Sequence, residues 1–198
     1  MNVRLEIKYD FSAGAYIEDN LYFNQYYIHL DIITISNDFY EQNIAADRIS
    51  HMIHDCFAHS VFVDEADAEA IEKFKNADIR TISVPGEPVD QILGMMLFSK
   101  ITAVVEDKLD IFQLKISSKF GGDVVYLQSA LEDTGPFDTT GWWSNSEPVT
   151  ENVSESRKVV QFNKNSLWAD LGLDWESAAE DSKNGDLVVL DLDRDDEE

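Results

Sequence analysis

Cysteine is nearly missing from this chain, and the single Cys56 excludes both an intrachain disulfide and a cysteine-rich zinc site. That usage fits a reducing cytoplasm. Basic residues are also scarce, fifteen Lys and Arg against thirty-nine Asp and Glu, for a formal charge of -24. Such a charge repels phosphate backbones and anionic headgroups, so no direct nucleic-acid binding is expected. No apolar run approaches the roughly eighteen residues of a membrane span, and the first residues, MNVRLEIKYDF, alternate charged and apolar types where a signal peptide needs a continuous apolar core. Neither membrane insertion nor export is expected. Also lacking are a glycine-rich loop followed by Lys and a Gly-x-Ser-x-Gly elbow, the usual cradles for phosphate and for a serine nucleophile.

What is present suffices for a folded domain. The chain has 198 residues, 44% of them hydrophobic and 11% aromatic, so the acidity is added to a competent core. Val3, Leu5, Ile7 and Tyr9 alternate with polar neighbours, as do Ile28, Leu30 and Ile32. This period of two predicts strands over 2–11 and 25–36, joined by a long loop from Ser12 to Asn24. Ala45, Ile49, Met52, Ile53 and Cys56 recur at helical spacing and predict a helix from Gln42 to Phe57. A shorter helix is expected over Asp67 to Asn76, then a short strand from Ile79 to Val84.

Glu87-Pro88 suits a helix start, because proline needs no donor there and an acid complements the positive dipole end. The helix it opens runs to about Val105 and buries Ile92, Leu93, Met96, Leu97, Ile101 and Val104, with Gly94 as a weak point unless something packs closely on it. Strands over Asp110 to Ser118 and Val124 to Leu131 follow, linked by the turn Phe120-Gly121-Gly122-Asp123. The expected class is α+β, in the order ββ, helices, ββ.

After Leu131 the composition shifts to Gly, Pro, Ser, Thr and Asn, which predicts a domain over 1–132 and an acidic, partly extended tail over 133–198. Within that tail Trp142 and Trp143, and the segment 166–175 with Leu167, Trp168, Leu171, Leu173 and Trp175, are too apolar to remain in water, and Leu187 to Leu190 add a short apolar run. They either pack on their own domain or a neighbouring subunit, or dock on a different protein through their Trp and Leu anchors.

Several strings over about residues 2–130 resemble the 6-pyruvoyl- and 6-carboxy-tetrahydropterin synthases, a family of T-fold proteins. Phe11-Ser12-Ala13-Gly14-Ala15 resembles the family's Phe-Ser-Ala-x-His, Phe57-Ala58-His59-Ser60 its Leu-Asp-His segment, and Glu87-Pro88-Val89-Asp90-Gln91 its Pro-Thr-x-Glu-Asn helix start. The resemblance implies a small antiparallel sheet with helices on one face, assembled into rings that bind ligands between subunits. It also implies a zinc ion held by three histidines, an arrangement that leaves a coordination position open for substrate. Only His29 matches one of the three; Ala15 and Tyr27 occupy the other places. The family's catalytic cysteine has no counterpart, Ala58 replaces the aspartate beside His59, and the pterin-reading glutamate would fall near Ser117 or Ser118. The family's chemistry, and with it any cofactor, is therefore not expected. His29, His59, Gln91 and Ser117 remain as candidates for a remodelled ligand pocket.

Asp47, His51, His54 and Asp55 follow a helical spacing that could hold a transition metal or simply form a solvated face. The leading expectation is a non-catalytic, homo-oligomeric accessory factor, plausible as a phage-type acidic inhibitor that meets the basic surface of a nucleic-acid-binding or defence protein. Two alternatives stand beside it: a protein that binds or sequesters a pterin or purine between subunits, and a self-assembling structural ring.

Overall fold

The computed structural model describes residues 3–122, 124–138, 141–149 and 167–176. Two long strands, β1 (Arg4–Ile17) and β2 (Asn20–Thr34), form an antiparallel hairpin paired from Arg4↔Ile33 to Ile17↔Asn20. The loop expected from Ser12 to Asn24 is therefore strand. Its turn is confined to Glu18 and Asp19, both at positive φ (47° and 63°), the backbone that matches a two-residue turn to strand twist. Gly14 is a packing glycine, since a Cβ there would lie 2.9 Å from Leu21 Cδ1.

Helix α1 (Phe39–His51) starts three residues before the expected position, because Asp38 caps it by accepting from the Tyr40 amide at 2.9 Å. It continues into a π-helical turn, Met52–Phe57, which brings Met52, Ile53, Cys56 and Phe57 all to the core. Burial pushes the Cys56 thiol up to about 11, against a smaller opposing effect of Arg80. At pH 8 roughly one thiol in a thousand is then ionised. A thiol reagent should accordingly leave the native chain unlabelled and modify one group only after denaturation; rapid native labelling would contradict this burial.

Strand β3 (Val61–Asp64), helix α2 (Ala68–Asn76) and strand β4 (Thr81–Val84) follow, with α2 capped by Asp67 accepting from the Ala70 amide. Helix α3 (Asp90–Val105) is buried nearly all round, and its Gly94 lies under the Tyr126 ring, where a Cβ would approach Cδ1 to 2.5 Å. Strands β5 (Leu109–Ser118) and β6 (Val125–Ser129) close the order.

The six strands form one sheet in the order β4-β3-β1-β2-β5-β6. Pairs β1/β2, β2/β5 and β5/β6 are antiparallel as expected, whereas β1/β3 and β3/β4 are parallel, so the sheet is mixed. The class is α+β. Tyr26, Ile28, Leu30, Ile32, Leu114 and Ile116 face the helices and are buried, while Lys8, Tyr27, His29 and Lys115 alternate onto the opposite face. Among the described residues no helix is long and apolar enough to cross a membrane.

Residues on both sides of the expected boundary at 132 share one core. Phe137, Trp143 and Trp168 are buried with the domain's own side chains, and Trp142, Val149, Leu171, Leu173 and Trp175 pack at its margin. Two buried cations hold these segments. Lys100, 1% exposed, donates to the carbonyls of Trp142, Asn145 and Glu147 and to Asn145 Oδ1; Arg48, 2% exposed, donates to the Leu173 carbonyl and lies 3.6 Å from the Trp175 ring centroid. Trp143 and Trp168 are thus enclosed by the chain's own side chains, whereas Leu167 is half exposed. The apolar run Leu187 to Leu190 and the Ser166 end of the expected docking segment lie outside the described residues.

Candidate ligand-binding cleft

Three structural features meet at one end of the sheet: the turn end of the β1/β2 hairpin, the first turn of α3, and the β5/β6 turn. Between them lies a cavity of about 400 Å³. Its walls carry Tyr22, Tyr26, Phe120 and Tyr126, with Asn24, Asp90 and Gln91 as the polar groups. This mixture, mostly apolar with a few convergent polar atoms, is what small-molecule sites usually present.

Local sequence explains each placement. Pro88 and Val89 bring the chain in extended, and α3 begins at Asp90 with no side-chain cap on Val89. Asp90 then bonds behind the wall, where Ser118 Oγ donates to its Oδ2 at 2.8 Å and in turn accepts from the Gly121 amide at 2.9 Å. A Cβ on Gly121 would come within 2.6 Å of Asp90 Oδ2, so glycine lets this turn close over the carboxylate. Asn24 Oδ1 accepts from the amides of Gln25 and Phe120, both at 3.0 Å, and ties the β5/β6 turn to β2. The Tyr22 and Phe120 rings meet at 4.6 Å.

Burial raises the Asp90 carboxyl above its ordinary range, and the hydrogen bonds from Ser118 only partly offset this. Burial likewise pushes the Tyr26 hydroxyl up to about 12; Asn24 opposes that shift and the Asp90 charge adds to it. The cleft therefore presents one desolvated acceptor among aromatic walls, a combination typical of binding sites.

The four residues expected to line a ligand pocket do not converge. Gln91 lines the cleft, but His29 and Ser117 line a second groove, also about 400 Å³, on the opposite face of the sheet. His59 lies at neither; it sits at positive φ (60°) and its amide donates to the Ser12 carbonyl. A one-residue step along a strand reverses the face, so Ser117 points away and its neighbour Ser118 supports the cleft. Tyr22, Phe120, Tyr126 and Asp90 were not singled out by sequence. The available signal was an acid directly after Pro-Val at a helix start, with aromatic residues near both flanking turns.

The zinc arrangement that the family resemblance implies does not fit these residues. Ala15 pairs with Tyr22 and faces the helices, 3% exposed, whereas Tyr27 and His29 lie on the outer face of β2. The four residues read as either a metal-binding or a solvated face, Asp47 and His51 in α1 and His54 and Asp55 in the π-helical turn, do not form one ligand set. His51 Nδ1 lies 2.9 Å from Asp55 Oδ2, His54 sits edge-on to Tyr9, burial raises the Asp47 carboxyl, and no three of the four bring ligand atoms within 4.8 Å of one another.

No protein-family model matches the chain, and no curated protein is significantly similar to it. Solved structures do resemble it. A catalytic-residue mutant of Plasmodium vivax 6-pyruvoyltetrahydropterin synthase is 8% identical, with 65% of this chain and 97% of that one covered at a TM-score of 0.43. An uncharacterized protein from Wolinella succinogenes is 11% identical, with 66% and 99% covered at 0.44. The Plasmodium falciparum 6-pyruvoyl tetrahydropterin synthase is 9% identical, with 64% and 96% covered at 0.41.

Proposed function

We propose that the chain binds a small planar heterocycle in the cleft at the start of α3 without transforming it. The observation that carries this reading is Asp90, a carboxylate held by Ser118 in an aromatic-lined cavity of about 400 Å³. A half-buried carboxylate of this kind accepts from adjacent ring and amino N–H groups, the edge shown by guanine and by pterins, and the aromatic lining favours a flat ligand. Non-catalytic binding is supported by the residues at the matched family positions, where Ala15 and Tyr27 lack ligand nitrogens and Ala58 lacks a carboxylate.

The test is calorimetric titration of the purified chain with guanine and with pterin. Asp90→Asn should weaken binding about tenfold or more, since hydrogen bonds to a charged group contribute roughly 1.5–3 kcal/mol. With Asp90 raised, the carboxylate forms only as pH climbs through that higher range, so wild-type binding should strengthen with rising pH and the Asn variant should lose that dependence. The sign for stability is opposite: a raised carboxyl pKa contributes stability at low pH that is lost as pH rises through the folded value. Absence of saturable binding by either ring, or equal binding by wild type and Asp90→Asn, would overturn the reading.

A second reading, the acidic protein-binding accessory factor, draws support from the outer sheet face. Tyr27 (45%) on β2 and Val125 (53%) and Leu127 (46%) on β6 are exposed there, on either side of β5, in a chain with a charge of -24. Association with a basic partner should weaken steeply as salt rises; salt-insensitive binding would count against it.

A further inference from the structure

We propose that Glu6, His29 and Asp31 form a binding site for a divalent transition-metal ion on the outer face of the sheet, independent of the aromatic cleft. Glu6 and Asp31 are direct cross-strand partners in the β1/β2 hairpin, and His29 lies two residues before Asp31, so period-two alternation puts all three on one face. One ligand atom from each lies within 4.8 Å of the others.

Two buried atoms here lack the partners that buried polar atoms normally have. His29 Nε2 and Asp31 Oδ1 are both shielded from solvent without a hydrogen-bond partner among the described residues. Asp31 is 3% exposed, and a desolvated carboxylate oxygen with no donor is costly. His29 Nε2 stands 3.2 Å from Glu6 Oε2, at ion-pair distance but without the geometry of a hydrogen bond. A cation placed among the three groups would be met by the imidazole nitrogen and both carboxylates at once. One imidazole nitrogen with two carboxylates suits zinc and its first-row neighbours better than calcium or magnesium, which favour oxygen alone.

The surrounding charges set the strength of the site. Asp31 Oδ2 faces Arg4 Nη2 at 3.6 Å and Lys115 Nζ at 3.5 Å, and Lys8 and Lys115 flank His29 across the two ladders. These contacts fall outside hydrogen-bond length and engage the oxygen opposite the orphaned one. Arg4 is also drawn over the Phe112 ring, 5.5 Å from its centroid. Their positive charge opposes a bound cation, so removing it should tighten the site. The β2/β5 register shifts at Asp31/Ile32, an irregularity of the kind that re-aims side chains at sites.

The experiment is titration of the full chain with Zn²⁺, and with Co²⁺ as a spectroscopic probe, followed by native mass spectrometry. One equivalent should bind. His29→Gln and Glu6→Gln should each weaken binding at least tenfold, while Lys115→Gln should strengthen it several-fold, an effect that a purely structural lysine would not give. Glu6 is exposed, so its variant keeps the test informative if an Asp31→Asn chain fails to fold. His51→Gln should bind as wild type does, and Asp90→Asn should leave the stoichiometry unchanged, which separates this site from the heterocycle cleft. Failure to bind either ion, loss of binding in His51→Gln, or binding that survives both His29→Gln and Glu6→Gln would overturn the proposal.

Discussion

Replacing Lys100 with methionine should lower the stability of the chain by about 3 kcal/mol or more. The Lys100 ammonium is almost fully enclosed and donates to Trp142 O at 3.0 Å, Asn145 O at 3.0 Å, Asn145 Oδ1 at 2.8 Å and Glu147 O at 2.5 Å. Methionine preserves much of the side-chain length but offers no donor, so several acceptors lose their partner together. An acceptor left facing a methyl group where it had a charged donor costs more than a typical hydrogen bond contributes. For a chain of this size the change corresponds to a drop in Tm of roughly 6–12 °C. The effect should also be local. Trp142, whose Nε1 donates to Ser83 O, and Trp143 should emit at longer wavelength as residues 141–149 lift, and a protease should cut there first. A Tm within a degree or two of wild type would show that these acceptors find other donors.

Arg48→Met should cost about 2–4 kcal/mol and free the second tail segment, residues 167–176. Arg48 Nε donates to Leu173 O at 2.7 Å, and Nη1 donates to Val104 O at 3.1 Å and Glu106 Oε1 at 3.2 Å. The guanidinium carbon lies 3.6 Å from the Trp175 ring centroid and 4.7 Å from that of Trp168. One planar cation thus joins α1, the end of α3 and the tail. Burial lowers the Arg48 pKa, against the opposing pull of Glu106, without approaching neutrality at working pH. Lysine at this position should recover only part of the loss, since an ammonium cannot stack and fork at once. A double-mutant cycle with Trp175→Ala, followed by thermal unfolding, should return a coupling of about 1 kcal/mol. Additive effects would mean that the stacking contributes nothing to stability.

Neither cation was legible as an anchor. Lys100 sits among Leu97, Ile101 and Val104, where a helical period suggests a tolerated polar residue at the margin of an apolar face. Arg48 falls between Ala45 and Ile49 in the same way. Their roles depend on carbonyls that arrive from 42 to 125 residues away along the chain. The cleft was missed for a similar reason. Asp90 was visible as an acid at a helix start, but the Ser118 that orients it and the Gly121 that covers it come from the far hairpin. At the hairpin turn the signal was present and misread: Glu18-Asp19 takes positive φ without glycine, so the turn looked like part of a longer loop.

By itself, the sequence determined the α+β class, the order of strands and helices apart from the unforeseen strand β3, the buried faces of α1 and α3, and the likeness to the T-fold motifs. These features follow from local periodicity, capping and turn chemistry, all written within a dozen residues of one another. Only the tertiary structure decided that β3 and β4 add in parallel, that Ala15 and His29 face opposite sides, that the tail tryptophans enter the core, and that Glu6, His29 and Asp31 share one spot. Each of these depends on register between distant segments, and a shift of one residue in a strand would send every side chain to the other face.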